Sequence, residues 1–299
     1  MKPALLIGST CVDIIINLPH IPVTQEDVHP TAQTMAIGGC SYNVAYTVRL
    51  LGAPHTHISP VGTGMYGDYI EKCLTQAGVP IAVHVTDKDN GCCYCLVEET
   101  GERTFMSYHG AEYTFQKEWM KPYRAEDYDL CYICGLEIEE PTGINLLEYL
   151  EENPSLQVFF APGPRLMHIE PSKLERMLAL KPILHINELE VASLSGISSN
   201  IEEAARKLHS ITENIVIVTL GEQGAFCIEK DGTEFMIPSV PATNIVDTIG
   251  AGDSHAGTVI ACLTNDMNLY DSVAYANKVA AAVVCVQGMS LTKEQVPAL

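Results

Sequence analysis

The chain contains 299 residues, of which 47% are hydrophobic and 18% are charged, so it can bury a full apolar core without disulfides. Its 17 basic and 37 acidic residues give a formal net charge of −20 at pH 7. This acidity argues against nucleic acid or an anionic membrane as a partner, because both favour surplus Lys and Arg. A phosphate ligand would then be held by backbone amides and a metal ion rather than by a basic surface.

The first residues predict a strand rather than a targeting segment. The apolar run from Ala4 to Ile7 is too short for a signal-peptide core, and no stretch of about 18 uncharged apolar residues predicts a membrane span. Most of the eleven cysteines lie in apolar runs, as is typical of reduced thiols, and we expect a cytoplasmic protein. Cys131 and Cys134 have CxxC spacing, but on a strand they would point to opposite faces and share neither a metal nor a disulfide.

The next part of the chain predicts two helices and a small sheet. Helical patterns lie near 41–51 and 67–77. Two segments, about 11–36 and 89–113, differ from these helices in composition: they carry β-branched runs and turn signals such as Asp89-Asn90-Gly91. They predict antiparallel strands in a small sheet separate from the main body. A lid over the ends of the main strands is the expected position of this sheet.

From about Val158 onward, continuous apolar strands alternate with amphipathic helices. Helices are predicted near 188–195, 201–212, 252–264 and 270–286, and a strand pair is predicted around AFCIEKDGTEFMI. This alternation predicts a doubly wound α/β fold with a mostly parallel sheet covered on both faces. We expect residues 1–299 to form one domain with the lid attached. Ligands of such sheets bind beyond the carboxyl ends of the strands, so the motifs that follow strands indicate function.

The most informative motif is NIVDTIGAGDSHAGTVI at 244–260. The small residues Gly250, Ala251 and Gly252 let backbone N–H groups approach a ligand, and the helix that starts there adds its positive dipole end. The motif therefore predicts an anion hole. A carboxylate beside it, Asp253, suits phosphoryl transfer from which a hydroxyl must lose its proton. The alternative for an isolated GxGD is an ordinary turn with a first-turn acid, and the neighbouring motifs outweigh it.

DTIGAGD at 247–253, together with GGCSYNVAYTVRLLGAP at 38–54, resembles the two signatures of the ribokinase-like (PfkB) carbohydrate kinase family. The resemblance covers essentially the whole chain. It implies an α/β/α body with a β-sheet lid, ATP-dependent phosphorylation of a sugar or nucleoside hydroxyl, and Mg²⁺. It also implies that Asp253 is the catalytic base and that Gly250, Ala251 and Gly252 stabilise charge on the transferred group. Four positions depart from the usual family residues and bear on the substrate: Cys40, Ser41, His255 and Thr258.

The binding site for the sugar that accepts the phosphoryl group is predicted near the start of the chain. Asp13 interrupts an apolar series, and a buried charge there needs partners that sugar hydroxyls could supply. By resemblance, Asp13, Gly39 and Asn43 contact the acceptor sugar. Gly38 and Gly39 also join the lid to the first helix, so they are a candidate hinge for closure that excludes water.

Further motifs resemble the nucleotide and metal elements of the family. Asn187 and Glu190 resemble the NxxE element that orients Mg²⁺-bound water, and the alternative is a helix-capping Asn with a first-turn acid. The segment that follows the strand IVIV resembles the TxGxxG part of the ATP site, with a strand-to-strand turn as its alternative. The resemblance assigns the nucleotide site to Asn187, Thr219, Gly221, Gly224 and Asn277, the last of which matches the adenine-pocket region.

Charged residues around the anion hole raise three further expectations. Many relatives are activated by K⁺, and Asp247 matches the acid of that loop, together with the Ile249 carbonyl, Gly288 and Thr292. We expect Arg103 to be a solvated turn charge, with substrate contact as the alternative. Arg165 follows a strand at a position where the family often has a basic or polar residue near phosphate.

The sequence therefore predicts a cytoplasmic kinase that uses ATP and Mg²⁺ to phosphorylate a sugar or sugar-like hydroxyl. The alternatives are a nucleoside or pseudouridine kinase, and a noncatalytic sugar or nucleotide sensor on the same fold. We expect no nucleic-acid or membrane partner. A homodimer through the exposed edges of the small lid sheet is also an expectation.

Overall fold

The structure, a computed structural model, describes residues 2–299. The strands in chain order are β1 (Ala4–Ile7), β2 (Cys11–Leu18), β3 (Ala32–Gly38), β4 (His55–Ile58), β5 (Pro60–Thr63), β6 (Val83–Asp89), β7 (Cys92–Glu98), β8 (Arg103–Tyr108), β9 (Leu130–Cys134), β10 (Gln157–Ala161), β11 (Ile183–Asn187), β12 (Val216–Thr219), β13 (Ala225–Ile228) and β14 (Glu234–Ile237). The helices are α1 (Cys40–Leu50), α2 (Gly64–Gln76), α3 (Lys117–Met120), α4 (Gly135–Glu139), α5 (Gly143–Glu152), α6 (Pro171–Ala179), α7 (Glu188–Ser195), α8 (Ile201–Thr212), α9 (Ala251–Thr264) and α10 (Leu269–Val283).

Eight strands form the main sheet, in the order β14-β13-β12-β11-β10-β9-β1-β4. The six strands from β12 to β4 run parallel, and the hairpin β13–β14 adds an antiparallel edge. Parallel strands buried on both faces need apolar residues at successive positions. β1 meets this requirement, because every residue from Ala4 to Ile7 is fully buried.

Alternate residues of β1 pack into two separate cores. Leu5 and Ile7 belong to a cluster that includes residues of α5, α6, α7 and α8. Ala4 and Leu6 face a second cluster built with α1, α9 and α10. The main sheet is therefore the middle of three layers, and α1 and α9 lie side by side on one face.

The second sheet is small and separate. Its order is β3-β2-β7-β8, with β2 and β7 parallel and the two outer pairs antiparallel. All four strands lie within or directly beside the segments predicted for the lid. A third, two-stranded sheet pairs β5 with β6 in parallel.

The predicted fold class is confirmed, as is the arrangement of the CxxC pair. Cys131 belongs to one core and Cys134 to the other, so the two thiols lie on opposite faces of the main sheet. All eleven cysteines are free. Among the helices of residues 2–299, none has the length and apolarity that crossing a bilayer requires.

Candidate active site

Asp253 lies in the first turn of α9, directly after a sharp backbone turn. Gly250 is the N-cap residue, with a φ of 78°. Residues other than glycine rarely adopt this left-handed conformation. A Cβ at this position would also lie 2.3 Å from Sδ of Met289. The N-terminus of α9 has no side-chain cap, so its first N–H groups have no partner from a capping residue.

Asn43 connects the first helix to this turn. Its Nδ2 donates a hydrogen bond of 2.8 Å to Oδ2 of Asp253. Burial raises the pKa of Asp253 from 3.8 to about 6, and the hydrogen bond from Asn43 opposes that rise. The carboxylate is therefore held in one orientation and is still ionised at neutral pH.

Asp13 lies near the same carboxylate, on β2 of the small sheet. Burial raises its pKa from 3.8 to about 6, and the negative charge of Asp253 adds to the rise. Gly38 makes room for Asp13, because a Cβ on Gly38 would lie only 2.0 Å from Oδ2 of that residue. Gly39, the next residue, is the N-cap of α1. The structure thus brings the predicted acceptor residues Asp13, Gly39 and Asn43 to one place.

Glu137 is a site residue that the sequence analysis missed. It is fully buried, and its Oε1 accepts a 2.8 Å hydrogen bond from the backbone N–H of Ser9. Burial raises its pKa from 4.5 to about 7, and the charge of Asp253 contributes to the rise. Its sequence context, LEIEE, is typical of an exposed helix, so no local signal distinguishes it from a surface acid.

Several buried polar atoms around these acids have no hydrogen-bond partner among the described residues. They include Ser9 Oγ, Thr10 Oγ1, Asn43 Oδ1 and Glu137 Oε2. Buried polar groups are normally paired, so an unpaired group of this kind needs an explanation such as a bound ligand. A molecule rich in hydroxyl groups would satisfy these donors and acceptors.

A cavity of about 670 Å³ lies on the other side of the α9 N-terminus. Ala251 and Gly252 form one wall, while Thr219, Gly221 and Gly224 come from the turn between β12 and β13. Asn277 of α10 also lines the cavity. This volume lies within the range of about 300–1,000 Å³ that is usual for sites binding nucleotide-sized ligands. The predicted nucleotide residues Thr219, Gly221, Gly224 and Asn277 therefore line one cavity.

Two buried histidines hold Asn277 in place. His255 Nε2 lies 3.2 Å from Asn277 Oδ1, and His255 Nδ1 lies 2.8 Å from His185 Nε2. An amide oxygen only accepts, so the proton of His255 is on Nε2 and His185 donates to Nδ1. Burial lowers the pKa of His255 to about 4, so the chain of hydrogen bonds is uncharged at neutral pH. Sequence analysis singled out His255 only as a departure from the usual family residue and did not predict these hydrogen bonds.

Asn187 and Glu190 form a capping box at the start of α7. Asn187 Oδ1 accepts from the N–H of Glu190, while both carboxylate oxygens of Glu190 accept from Asn187. Neither residue lines the cavity described above. Within residues 2–299 no three His, Cys, Asp or Glu side chains form a metal-binding group. Asn187 and Glu190 therefore suit Mg²⁺ only when the ion is bound by nucleotide phosphates and retains much of its water.

Arg103 is not a solvated turn charge, and that expectation is wrong. Its Nη2 lies 2.8 Å from Oδ1 of Asp247, and its side chain is only 18% exposed. Local sequence could not show this, because the partner is far away along the chain. Arg165 instead pairs with Glu139 at the carboxyl end of α4.

Comparison with known proteins agrees with this architecture. A model of the pfkB carbohydrate kinase family matches residues 1–295. The chain is 32% identical to the uncharacterised sugar kinase YegV of Escherichia coli over 290 residues, covering 96% of this chain and 90% of that protein.

Two solved structures show the same fold at low sequence identity. A ribokinase of Arabidopsis thaliana complexed with ribose and ATP has a TM-score of 0.82 and 19% identity, covering 99% of this chain and 96% of that one. A nucleoside kinase of Burkholderia thailandensis in complex with inosine has a TM-score of 0.79 and 19% identity, covering 98% and 94%.

The fold is that of a ribokinase-like protein, with a large mostly parallel sheet between helices and a small second sheet. The chain belongs to the pfkB family of carbohydrate kinases.

Proposed function

We propose that the protein transfers the terminal phosphoryl group of ATP to a hydroxyl of a sugar or sugar-like alcohol. One observation carries this proposal: the carboxylate of Asp253 accepts a hydrogen bond from Asn43, whose own Oδ1 is unpaired, and Asp253 directly follows Ala251 and Gly252, which line a nucleotide-sized cavity. The similarity of the chain to a sugar kinase of Escherichia coli supports the same conclusion.

Asp253 is the proposed general base. It is ionised at neutral pH, because its pKa is about 6, and it can accept the proton of an acceptor hydroxyl. The hydroxyl oxygen then forms a bond to the terminal phosphorus of ATP, and the bond from that phosphorus to the bridging oxygen breaks. ADP carries away the electron pair, and the proton stays on Asp253 until solvent removes it.

The proposed anion hole is the turn from Gly250 to Gly252 and the first N–H groups of α9. The N–H of Ala251 already donates to the Thr248 carbonyl. No side chain caps the N–H groups of Gly252 and Asp253, so these are the donors available to phosphoryl oxygens in the transition state. Mg²⁺ bound to the nucleotide would neutralise phosphate charge. Glu190, with Asn187 holding its carboxylate, is the residue that would orient water on that ion.

The cavity lined by Gly221, Gly224 and Asn277 is the proposed nucleotide site. Gly221 and Gly224 leave the backbone of the β12–β13 turn open to a flat ring and its ribose. The buried hydrogen bonds from His185 through His255 to Asn277 hold this part of the cavity wall in place.

The small sheet is the proposed lid. Asp13 on β2 reaches the acceptor side from this sheet, and Gly38 and Gly39 connect the sheet directly to α1. Movement about this connection would open and close the acceptor site. A closed lid excludes water, which would otherwise compete with the hydroxyl for the phosphoryl group.

An uncharged acceptor suits this site better than a phosphorylated one. The carboxylate of Asp253 lies within electrostatic reach of two others, those of Asp13 and Glu137. Arg103 is the only Lys or Arg in the four strands of the small sheet, and Asp247 already pairs with it. A second phosphate would therefore meet repulsion without a compensating cation.

An ADP-release assay over a panel of free sugars, sugar phosphates and nucleosides tests the proposal. We expect turnover with at least one uncharged sugar, and loss of it in Asp253→Asn with nucleotide binding retained. The control is Asp266→Asn, an exposed acid with a φ of 57° just beyond the other end of α9, which should keep full activity. Turnover with nucleosides alone would favour the nucleoside kinase alternative, and binding without turnover would favour a sensor.

A further inference from the structure

An arginine of the small sheet contacts the segment that precedes the proposed anion hole. Arg103 begins β8, and its Nη2 lies 2.8 Å from Asp247 Oδ1. Nη1 of the same guanidinium donates to Thr248 Oγ1 at 2.9 Å. Asp247 and Thr248 come directly before Ile249 and Gly250, so one side chain joins the small sheet to the turn that starts α9.

Asp247 is a buried carboxylate that organises this turn. It is only 6% exposed. Its Oδ1 accepts from the N–H of Ile249 at 2.8 Å, and its Oδ2 accepts from the N–H of Gly288 at 2.9 Å. Backbone donors carry only partial charges, and removing an ion from water without a counter-charge is strongly unfavourable. A cation beside Asp247 would offset this cost.

Arg103 supplies that cation. Within residues 2–299 it is the only basic side chain in salt-bridge contact with Asp247. The family resemblance assigned the same acid, with Gly288, to a potassium site. Yet both oxygens of Asp247 already accept protein hydrogen bonds, and its charge is already paired. The residues present thus fit an arginine better than a bound monovalent ion.

We propose that Arg103 is the built-in counter-ion of Asp247, that it makes the enzyme independent of monovalent cations, and that it couples the small sheet to the turn before α9. This inference rests on the proposed kinase function, but its central contact does not. Because Arg103 belongs to the small sheet, the positive charge reaches Asp247 only when that sheet lies over the main body. Arg103 is therefore a positioning residue, which acts through Asp247 and Thr248 on the anion hole.

The test compares K⁺ with tetramethylammonium at equal ionic strength, using both thermal unfolding without substrate and kinetics. Wild-type protein should give the same Tm and the same kcat in both salts. Arg103→Gln should lower Tm and reduce kcat by about tenfold or more in tetramethylammonium, because a buried carboxylate loses its partner. K⁺, but not tetramethylammonium, should restore part of both losses.

Two further variants make the result specific. Arg103→Gln combined with Asp247→Asn removes both charges and should abolish the response to K⁺. Arg124→Gln removes an arginine from an exposed ion pair and should leave Tm and kcat insensitive to the choice of salt.

The inference is overturned if wild-type Tm or kcat rises with K⁺, or if Arg103→Gln matches wild type in both salts. The wild-type comparison decides the matter even if the variants do not fold. If Arg103→Gln shows a K⁺-dependent Tm while no acceptor is phosphorylated, the counter-ion role stands and the kinase proposal fails.

Discussion

Nδ2 of Asn43 donates to Oδ2 of Asp253 at 2.8 Å, and this contact joins α1 to α9 although the two residues are 210 positions apart in sequence. The bond favours the charged form of the carboxylate, whereas burial favours the neutral form. The balance leaves Asp253 ionised at neutral pH but basic enough to take a proton.

Replacing Asn43 with Ala should shift the acid limb of the pH profile to higher pH. Without this donor, only the hydrogen bond from Cys40 opposes the effect of burial on Asp253, so its pKa rises further above about 6. The measurement is kcat/KM against pH, and the limb reports Asp253 together with the nearby Asp13. Asn200→Ala, which removes the exposed cap of α8, is the control and should leave the limb in place. An unmoved limb in Asn43→Ala would contradict the assignment.

Asp253→Asn should lose turnover by about 10²- to 10⁴-fold yet stabilise the fold at neutral pH. The native pKa of about 6 exceeds the ordinary 3.8, so the native state binds this proton more tightly than the unfolded state. The contribution of Asp253 to stability therefore falls as pH rises from about 4 to about 6. Removing the charge should raise Tm by about 2–4 °C near pH 8 and by less near pH 5. A Tm gain that is equal at both pH values would show that Asp253 titrates normally.

Gly38→Ala should weaken acceptor binding selectively. The new methyl group would lie 2.0 Å from Oδ2 of Asp13, so that carboxylate must move. We expect KM for the acceptor to rise about tenfold or more while KM for ATP changes little. Gly101→Ala, in the turn between β7 and β8 of the same sheet, is the control: its φ of 87° makes the change strained, but the added Cβ has no atom within 4 Å. If both variants raise acceptor KM equally, general loosening of the small sheet is the cause.

His255→Phe should raise KM for ATP more than KM for the acceptor. The change leaves Asn277 Oδ1 and the N–H of His185 without partners in a buried site, which also lowers Tm. Because burial lowers the pKa of His255 to about 4, wild-type KM for ATP should show no step between about pH 5 and pH 8 from this group. His168→Phe, at an exposed position, is the control. An unchanged KM for ATP in His255→Phe would remove the positioning role.

Sequence alone predicted the main sheet well, because its strands are continuous apolar runs. β10, β11 and β12 and the hairpin β13–β14 all lie where alternation of strands and helices indicated. Strands β4, β5 and β6 gave no such signal. Their sequences HTHI, PVGT and VHVTDKD are short or polar, and they form strands through pairing with distant segments.

The candidate site was predictable where a local motif carries the chemistry. The turn from Gly250 to Asp253 and the diglycine before α1 both depend on glycines, whose backbone freedom can be recognised from the sequence. Glu137 and Arg103 have no such local signal, because their roles depend on neighbours that only folding brings together. Arg103 and its partner Thr248 are 145 positions apart in sequence, and the local context of Arg103 is that of an ordinary charged turn.

The side-by-side packing of α1 and α9 also has a consequence during synthesis. Asn43 is made 210 positions before Asp253, so the hydrogen bond between α1 and α9 cannot form until α9 has begun to be made. A fragment that stops before α9 therefore keeps Asn43 but lacks both its hydrogen-bond partner and the proposed general base.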